Sequence, residues 1–223
     1  MRIAFFGGTF DPPHCGHLKI AQAATQRLHL DRVLFAPVGH QPLKLHGSSA
    51  SFEDRMAMVK LAIAPFPAFE ASELDAPLPG RRPNYTIDTL LRLKASLHPH
   101  DDLFCLIGAD SFLTLKDWQR AAELIFVCNF IVAARPGFTL DQMDRALPCN
   151  IQRQTILQQS KELIRFCLRN PQGKQTELNL LPDIHEEISA TAIRAAIAAG
   201  QPTSPLLPQS VLAYIYQRGL YQS

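Results

Sequence analysis

The sequence predicts an α/β protein: a Rossmann-like parallel sheet with helices on both faces and a small C-terminal helical extension. Three observations predict it. Short apolar runs rich in β-branched and aromatic residues alternate with longer stretches of helical period. The central runs are apolar without interruption, as strands buried on both faces are. The strand–helix–strand alternation requires right-handed crossovers, which place consecutive strands parallel.

The elements follow in order. Ile3–Phe6 is an unbroken apolar run and forms the first strand; Gly16–Leu28 carries the helical period that follows it. Arg32–Pro37 is the second strand, stopped by proline, and Phe52–Ile63 the second helix. Ala68–Ser72, Asp102–Ile107 and Asn129–Ala133 are further strands, and Thr86–Leu97 and Trp118–Leu124 further helices. Glu177–Leu181 is a weaker strand, and Gln152–Asn170 reads as a polar helix. Two helices, Ala190–Ala199 and Ser210–Arg218, close the chain around the loop Gly200–Pro208. The long loops Val38–Ser51 and Asp75–Asn84, loaded with Pro, Gly, His or Arg, have the length of functional or mobile segments. A length of 223 residues fits one domain with one core, residues 1–223, with the helices from about residue 188 packed on it.

Composition narrows the function classes. Apolar residues make up 47% and charged ones 19%, which excludes a disordered chain. The net charge is only +2, with no run of five or more like charges, so neither nucleic acid nor an anionic membrane is expected as a partner. The N-terminus reaches Gly7, Asp11 and two prolines too soon for a signal peptide, and no stretch has the apolar length of a membrane span. Five cysteines, odd in number and without a C-x-x-C pair, read as reduced thiols of a cytoplasmic protein.

The most informative segment is Gly7-Gly8-Thr9-Phe10-Asp11-Pro12-Pro13-His14-Cys15-Gly16-His17, which joins the first strand to the first helix. In open α/β sheets ligands sit beyond the carboxyl ends of the strands, where this turn falls. Glycines allow close backbone approach, and a helix N-terminus favours an anion. The spacing matches neither a kinase-type phosphate loop nor a dinucleotide fingerprint. In place of the lysine stands H-x-G-H: His14 just before the helix and His17 in its first turn can flank one phosphate and donate to it as charge develops. Two other readings of the histidines are surface or capping residues, and metal ligands together with Cys15. No second cluster completes a tetrahedral set, so no protein metal site is assigned.

The run Gly7 to Leu18 resembles the signature of the nucleotidylyltransferase superfamily. Further segments narrow the resemblance: Asn84–Leu90, Ile107–Asp110 with Trp118, Arg135-Pro136-Gly137, Ile188–Arg194 and Tyr214–Tyr221. Together they are similar to bacterial nicotinate-nucleotide adenylyltransferases. The resemblance implies adenylyl transfer from ATP, with Mg²⁺, to nicotinate mononucleotide, giving nicotinate adenine dinucleotide and pyrophosphate.

Residue roles follow. His14 and His17 are the catalytic pair. Gly7, Gly8, Thr9, Phe10, His17, Gly108, Asp110, Ser189, Thr191 and Arg194 are expected to bind ATP. Ser189 and Thr191 offer N-cap hydroxyls and Arg194 a guanidinium, a second anion site that the resemblance gives to the β- and γ-phosphates. Lys44, Tyr85, Thr86 and Trp118 are expected at the mononucleotide. Trp118, the only tryptophan, offers a flat face for the pyridine ring, and Lys44 a mobile charge for the phosphate. The family usually shows Pro-His followed by a basic residue here, whereas this chain has Leu43 after Pro42. Arg55 is a weaker candidate, equally readable as part of a solvated helix face. The rivals are a pantetheine-phosphate-type adenylyltransferase and a nucleotide-binding regulator without turnover.

Overall fold

A computed structural model describes residues 1–40, 47–134, 137–182, 184 and 188–222, and the side chains of all of these except Arg81 and Thr155. Lys44 and Leu43, and Arg135 and Pro136, lie outside the described residues. The strands are β1 (Arg2–Gly8), β2 (Arg32–Pro37), β3 (Phe69–Ala71), β4 (Asp102–Gly108), β5 (Asn129–Ala133), β6 (Gln152–Gln159), β7 (Ile164–Arg169) and β8 (Gln175–Leu181). The helices are α1 (Cys15–Leu28), α2 (Phe52–Ile63), α3 (Thr86–Ser96), α4 (Ala109–Leu113), α5 (Ala121–Leu124), α6 (Leu140–Ala146), α7 (Ala190–Ala198) and α8 (Gln209–Arg218).

The strands form one sheet in the order β3-β2-β1-β4-β5-β8-β7-β6. Pairing is parallel from β1 through β4 and β5 to β8, with Phe5 opposite Cys105 and Phe130 opposite Leu178. It turns antiparallel at β8–β7 and β7–β6. The sheet is therefore mostly parallel, as expected, with an antiparallel margin. The order reverses at β1, and the turn after β1 falls at the carboxyl end where ligands bind in such sheets.

The chain divides into two compact units. One comprises Met1–Phe6, Ile20–Val33 and Tyr85–His185. Its core is the both-faces-buried interior of β1, β4 and β5, with Ile3, Ala4, Leu106, Phe130, Ile131 and Val132 wholly buried. On α3, Ile87, Leu90 and Leu93 form the buried stripe at helical spacing.

The other unit comprises Gly7–Lys19, Leu34–Asn84 and Glu186–Ser223. Here α2 starts at the N-cap Ser51, whose hydroxyl accepts from the Asp54 N–H at 3.0 Å, with Glu53 and Asp54 in the first turn and Lys60 in the last. Helix α8 is tied to α2: the Tyr214 hydroxyl donates to Asp54 Oδ1 at 2.9 Å, and Arg218 Nε donates to the same oxygen at 3.2 Å. Burial opposes it, but hydrogen bonds from Ser51 and Tyr214 and the Arg218 charge hold the Asp54 carboxyl below its usual range.

Two expectations are corrected, and one helix is added. Gln152–Asn170 is not a helix but the hairpin β6–β7, turned at Ser160–Leu163. Phe166 and Leu168, two apart, are wholly buried, and that period of two is a strand's. The helix read over Trp118–Leu124 begins only at Ala121, because Arg120 adopts φ 52°, which interrupts a helix. Helix α6 was not expected, yet Thr139 and Gln142 close a reciprocal capping box at its start. Among the described residues no helix is long and apolar enough to cross a membrane.

Candidate active site

The turn between β1 and α1 brings the two histidines face to face. Helix α1 begins at Cys15, so His14 precedes it and His17 sits in its first turn, as the spacing predicts. Their rings stack with centroids 3.7 Å apart and planes 26° apart. The His14 backbone N–H donates to His17 Nδ1 at 3.1 Å, and the His17 N–H returns to the His14 carbonyl at 3.0 Å. A ring nitrogen that accepts carries no proton, so this bond assigns His17 the tautomer with hydrogen on Nε2. Burial pushes the His17 imidazole well below its ordinary value, and the neighbouring His14 adds to the shift. His17 is thus neutral near pH 7, with its one ring N–H on Nε2.

Phe10 underpins that geometry. Its ring is buried and meets His17 edge to face at 4.9 Å and Phe35 at 5.6 Å. A β-carbon on Gly8 would press to 3.1 Å from the Phe10 ring, which explains glycine at that position. Of the expected ATP contacts, Phe10 therefore places its side chain beneath the histidine, leaving its backbone on the turn.

Arg55 is the clearest departure from the sequence reading. Instead of lying on a solvated helix face it is 1% exposed. Its Nη1 donates to the Thr9 carbonyl at 2.7 Å and its Nη2 to the Val38 carbonyl at 2.8 Å. One guanidinium thus joins the turn after β1 to the end of β2. The signal was available: Arg55, Val59 and Ala62 occupy one stripe at helical spacing, and all three are buried.

The residues expected to form a second anion site reach the same turn. Ser189 is the N-cap of α7 and accepts from the Ala192 N–H at 3.5 Å. Thr191 does not cap; its hydroxyl accepts from Arg194 Nη2 at 3.3 Å. Arg194 Nη1 donates to the Asp11 carbonyl at 2.7 Å, so Thr191 and Arg194 are brought to the turn between β1 and α1. Asp11 was not singled out in the sequence. Its buried carboxylate collects the Ser49 N–H at 2.6 Å, the Ala50 N–H at 3.1 Å and the Tyr221 hydroxyl at 2.6 Å.

The bases of the two long loops are stitched together. Asn84 accepts from the His40 N–H at 3.0 Å and donates to the carbonyls of Asp75 and Ala76 at 3.1 and 2.9 Å. A β-carbon on Gly39 would lie 2.5 Å from the Pro77 backbone, so the loops approach there only through glycine.

The remaining expected residues belong to the other unit. Gly108 ends β4 as N-cap of α4, and Asp110 is exposed in that helix's first turn. Tyr85 and Thr86 open α3, both half-buried. Trp118 is half-buried, with Nε1 donating to Thr114 Oγ1 at 3.2 Å.

Residues 5–196 match the Cytidylyltransferase-like family. A protein of Syntrophotalea carbinolica named "Probable nicotinate-nucleotide adenylyltransferase" is 37% identical, the match covering 100% of this chain and 98% of that protein. One of Chromobacterium violaceum, with the same name, is 38% identical over 99% of each chain. Among solved structures, Plasmodium falciparum nicotinic acid mononucleotide adenylyltransferase complexed with NaAD superposes with a TM-score of 0.72 at 15% identity. The superposition covers 99% of this chain and 97% of that one, and supports the fold alone.

Proposed function

Because the chain belongs to the cytidylyltransferase-like family, and within it to the nicotinate-nucleotide adenylyltransferases, we propose that it joins ATP and nicotinate mononucleotide into nicotinate adenine dinucleotide and pyrophosphate, a step of NAD biosynthesis. Residues 1–223 are read as one catalytic domain. ATP enters as its magnesium complex, since Mg²⁺ is usually held by substrate phosphates with most of its waters retained.

A phosphate oxygen of the mononucleotide attacks the α-phosphorus in line, the bond to the bridging oxygen breaks, and pyrophosphate leaves. No covalent enzyme intermediate is needed, so catalysis consists of positioning and charge stabilisation. The observation that carries the reading is the pinned His17 tautomer. A neutral imidazole whose Nδ1 is engaged by backbone presents only Nε2–H, which suits donation to an α-phosphate oxygen that gains charge. His14 and Thr9 orient the phosphates, with the Gly7-Gly8 and Phe10 backbone close by. Thr191, Ser189 and Arg194 serve the departing pyrophosphate. In this reading Gly108 and Asp110 serve the ATP side, with Asp110, whose charge repels a carboxylate, at a ribose hydroxyl. Trp118 stacks on the nicotinate ring with Tyr85 and Thr86 nearby, and Lys44 is a mobile charge for the mononucleotide phosphate.

Pyrophosphate release tests this with ATP and Mg²⁺ plus nicotinate mononucleotide, nicotinamide mononucleotide, phosphopantetheine or no acceptor. Fastest release with nicotinate mononucleotide, abolished by EDTA, is expected. Release with phosphopantetheine alone, or with no acceptor, would overturn the substrate assignment, and no release at all would make the protein a regulator.

A further inference from the structure

The second residue from the end of the described chain reaches the centre of the phosphate turn. Helix α8 ends at Arg218, and Gly219 takes φ 63°. The Leu220 N–H then returns to the Ile215 carbonyl at 3.0 Å, a closing pattern that depends on a left-handed residue, here glycine. That reversal delivers Tyr221 to Asp11, where its hydroxyl donates to Oδ1 at 2.6 Å. Tyr221 itself sits at φ 62°, a conformation costly for a tyrosine and held by its surroundings. Burial first, and the Asp11 carboxylate second, push the Tyr221 hydroxyl far above its ordinary value, so it remains a donor at every working pH.

Asp11 is more than a partner for one tyrosine. Four donors from three distant parts of the sequence converge on it: the N–H groups of Ser49 and Ala50, Arg194 on its carbonyl, and Tyr221. Ser49 and Ala50 are the foot of the Val38–Ser51 loop, the loop that carries Lys44. Arg194 is the candidate pyrophosphate contact. One residue of this turn therefore ties together three segments distant in sequence, and it lies three positions before His14.

An acidic side chain beside a triphosphate site is unfavourable for binding unless it is neutralised and directed away, which hydrogen bonds from buried donors accomplish. The structure assigns Asp11 and Tyr221 the role of positioning residues for adenylyl transfer: the C-terminal tyrosine latches the Asp11 carboxylate, and the latch fixes the H-x-G-H turn against the loop foot and Arg194. Neither residue touches the reacting atoms. This rests on the assignment of the phosphate turn to ATP made above.

Misplacement of reacting groups by about 1 Å can cost on the order of a hundredfold in rate, so a loosened latch shows first in kcat. The experiment compares kcat and KM for both substrates among wild type, Tyr221→Phe, Asp11→Ala, the double variant and His17→Ala, with thermal melting as a check of folding. Tyr221→Phe removes one oxygen atom and retains the ring. It is expected to lower kcat roughly tenfold with KM for ATP within about twofold of wild type. In the Asp11→Ala background the same change is expected to cost nothing further, because the hydroxyl acts only through the carboxylate. The latch is overturned if kcat of folded Tyr221→Phe stays near wild type while His17→Ala loses its turnover. It is equally overturned if the loss is the same in both backgrounds, or if only KM rises. Undiminished turnover in His17→Ala would instead remove the phosphate-turn assignment, and the latch with it.

Discussion

Replacing Arg55 by methionine isolates what the buried guanidinium does for the phosphate turn. Methionine fills much of the stem's volume, so the cavity contribution is small, but the Thr9 and Val38 carbonyls lose donors at 2.7 and 2.8 Å. Each hydrogen bond to a charged group contributes about 1.5–3 kcal/mol, giving a gross loss of about 3–6 kcal/mol. Relief from burying the charge offsets part of this, since burial already lowers the Arg55 pKa despite the favourable field of Asp11. A net destabilisation of about 2–4 kcal/mol is expected. At about 2–4 °C per kcal/mol for a chain of this size, the melting temperature falls by about 10 °C. Arg55→Lys should lose about half as much, because one ammonium lacks the fork that spans two carbonyls. Urea unfolding followed by circular dichroism measures both. An Arg55→Met protein within about 0.5 kcal/mol of wild type would refute the claim that this side chain pins the turn.

The His17 ring should stay neutral well below pH 6.5. Its folded pKa is depressed, so the unfolded chain binds the extra proton, and stability falls as pH drops below about 6.5 rather than as it rises. A histidine-selective NMR titration checks this, and a His17 midpoint at 6.5 or above would contradict it. Thr203 is 2% exposed, and its hydroxyl finds no hydrogen-bond partner among the described residues. Thr203→Val should therefore leave stability unchanged or raise it by up to about 1 kcal/mol in urea unfolding; a clear loss would reveal a partner for that hydroxyl.

The parallel core and the phosphate turn were legible because their signals are local. Unbroken apolar runs mark β1, β4 and β5, and G-G-T-F-D-P-P-H-C-G-H marks the turn within eleven residues. The hairpin β6–β7 was missed because its outer strand is rich in glutamine, a good helix former, and that propensity masked the period of two in Ile164, Phe166 and Leu168. Helix α6 was within reach through the Thr139…Gln142 spacing. The convergence on Asp11 was not. Its partners lie 38, 39, 183 and 210 residues away, and no local pattern pairs a carboxylate with a tyrosine across nearly the whole chain. Arg55 lies between these cases: its stripe was readable, but charge at such a position is ordinarily solvent-facing.

The most direct measurement is the single-turnover rate of nicotinate adenine dinucleotide formation by His17→Ala at saturating MgATP and nicotinate mononucleotide, where binding no longer limits. Loss of one donor to a charge that develops in the transition state typically costs about 10²–10³ in rate. A fall of that size with the circular dichroism spectrum of the folded protein is expected. A rate within tenfold of wild type would show that the pinned Nε2–H does not stabilise the reacting phosphate.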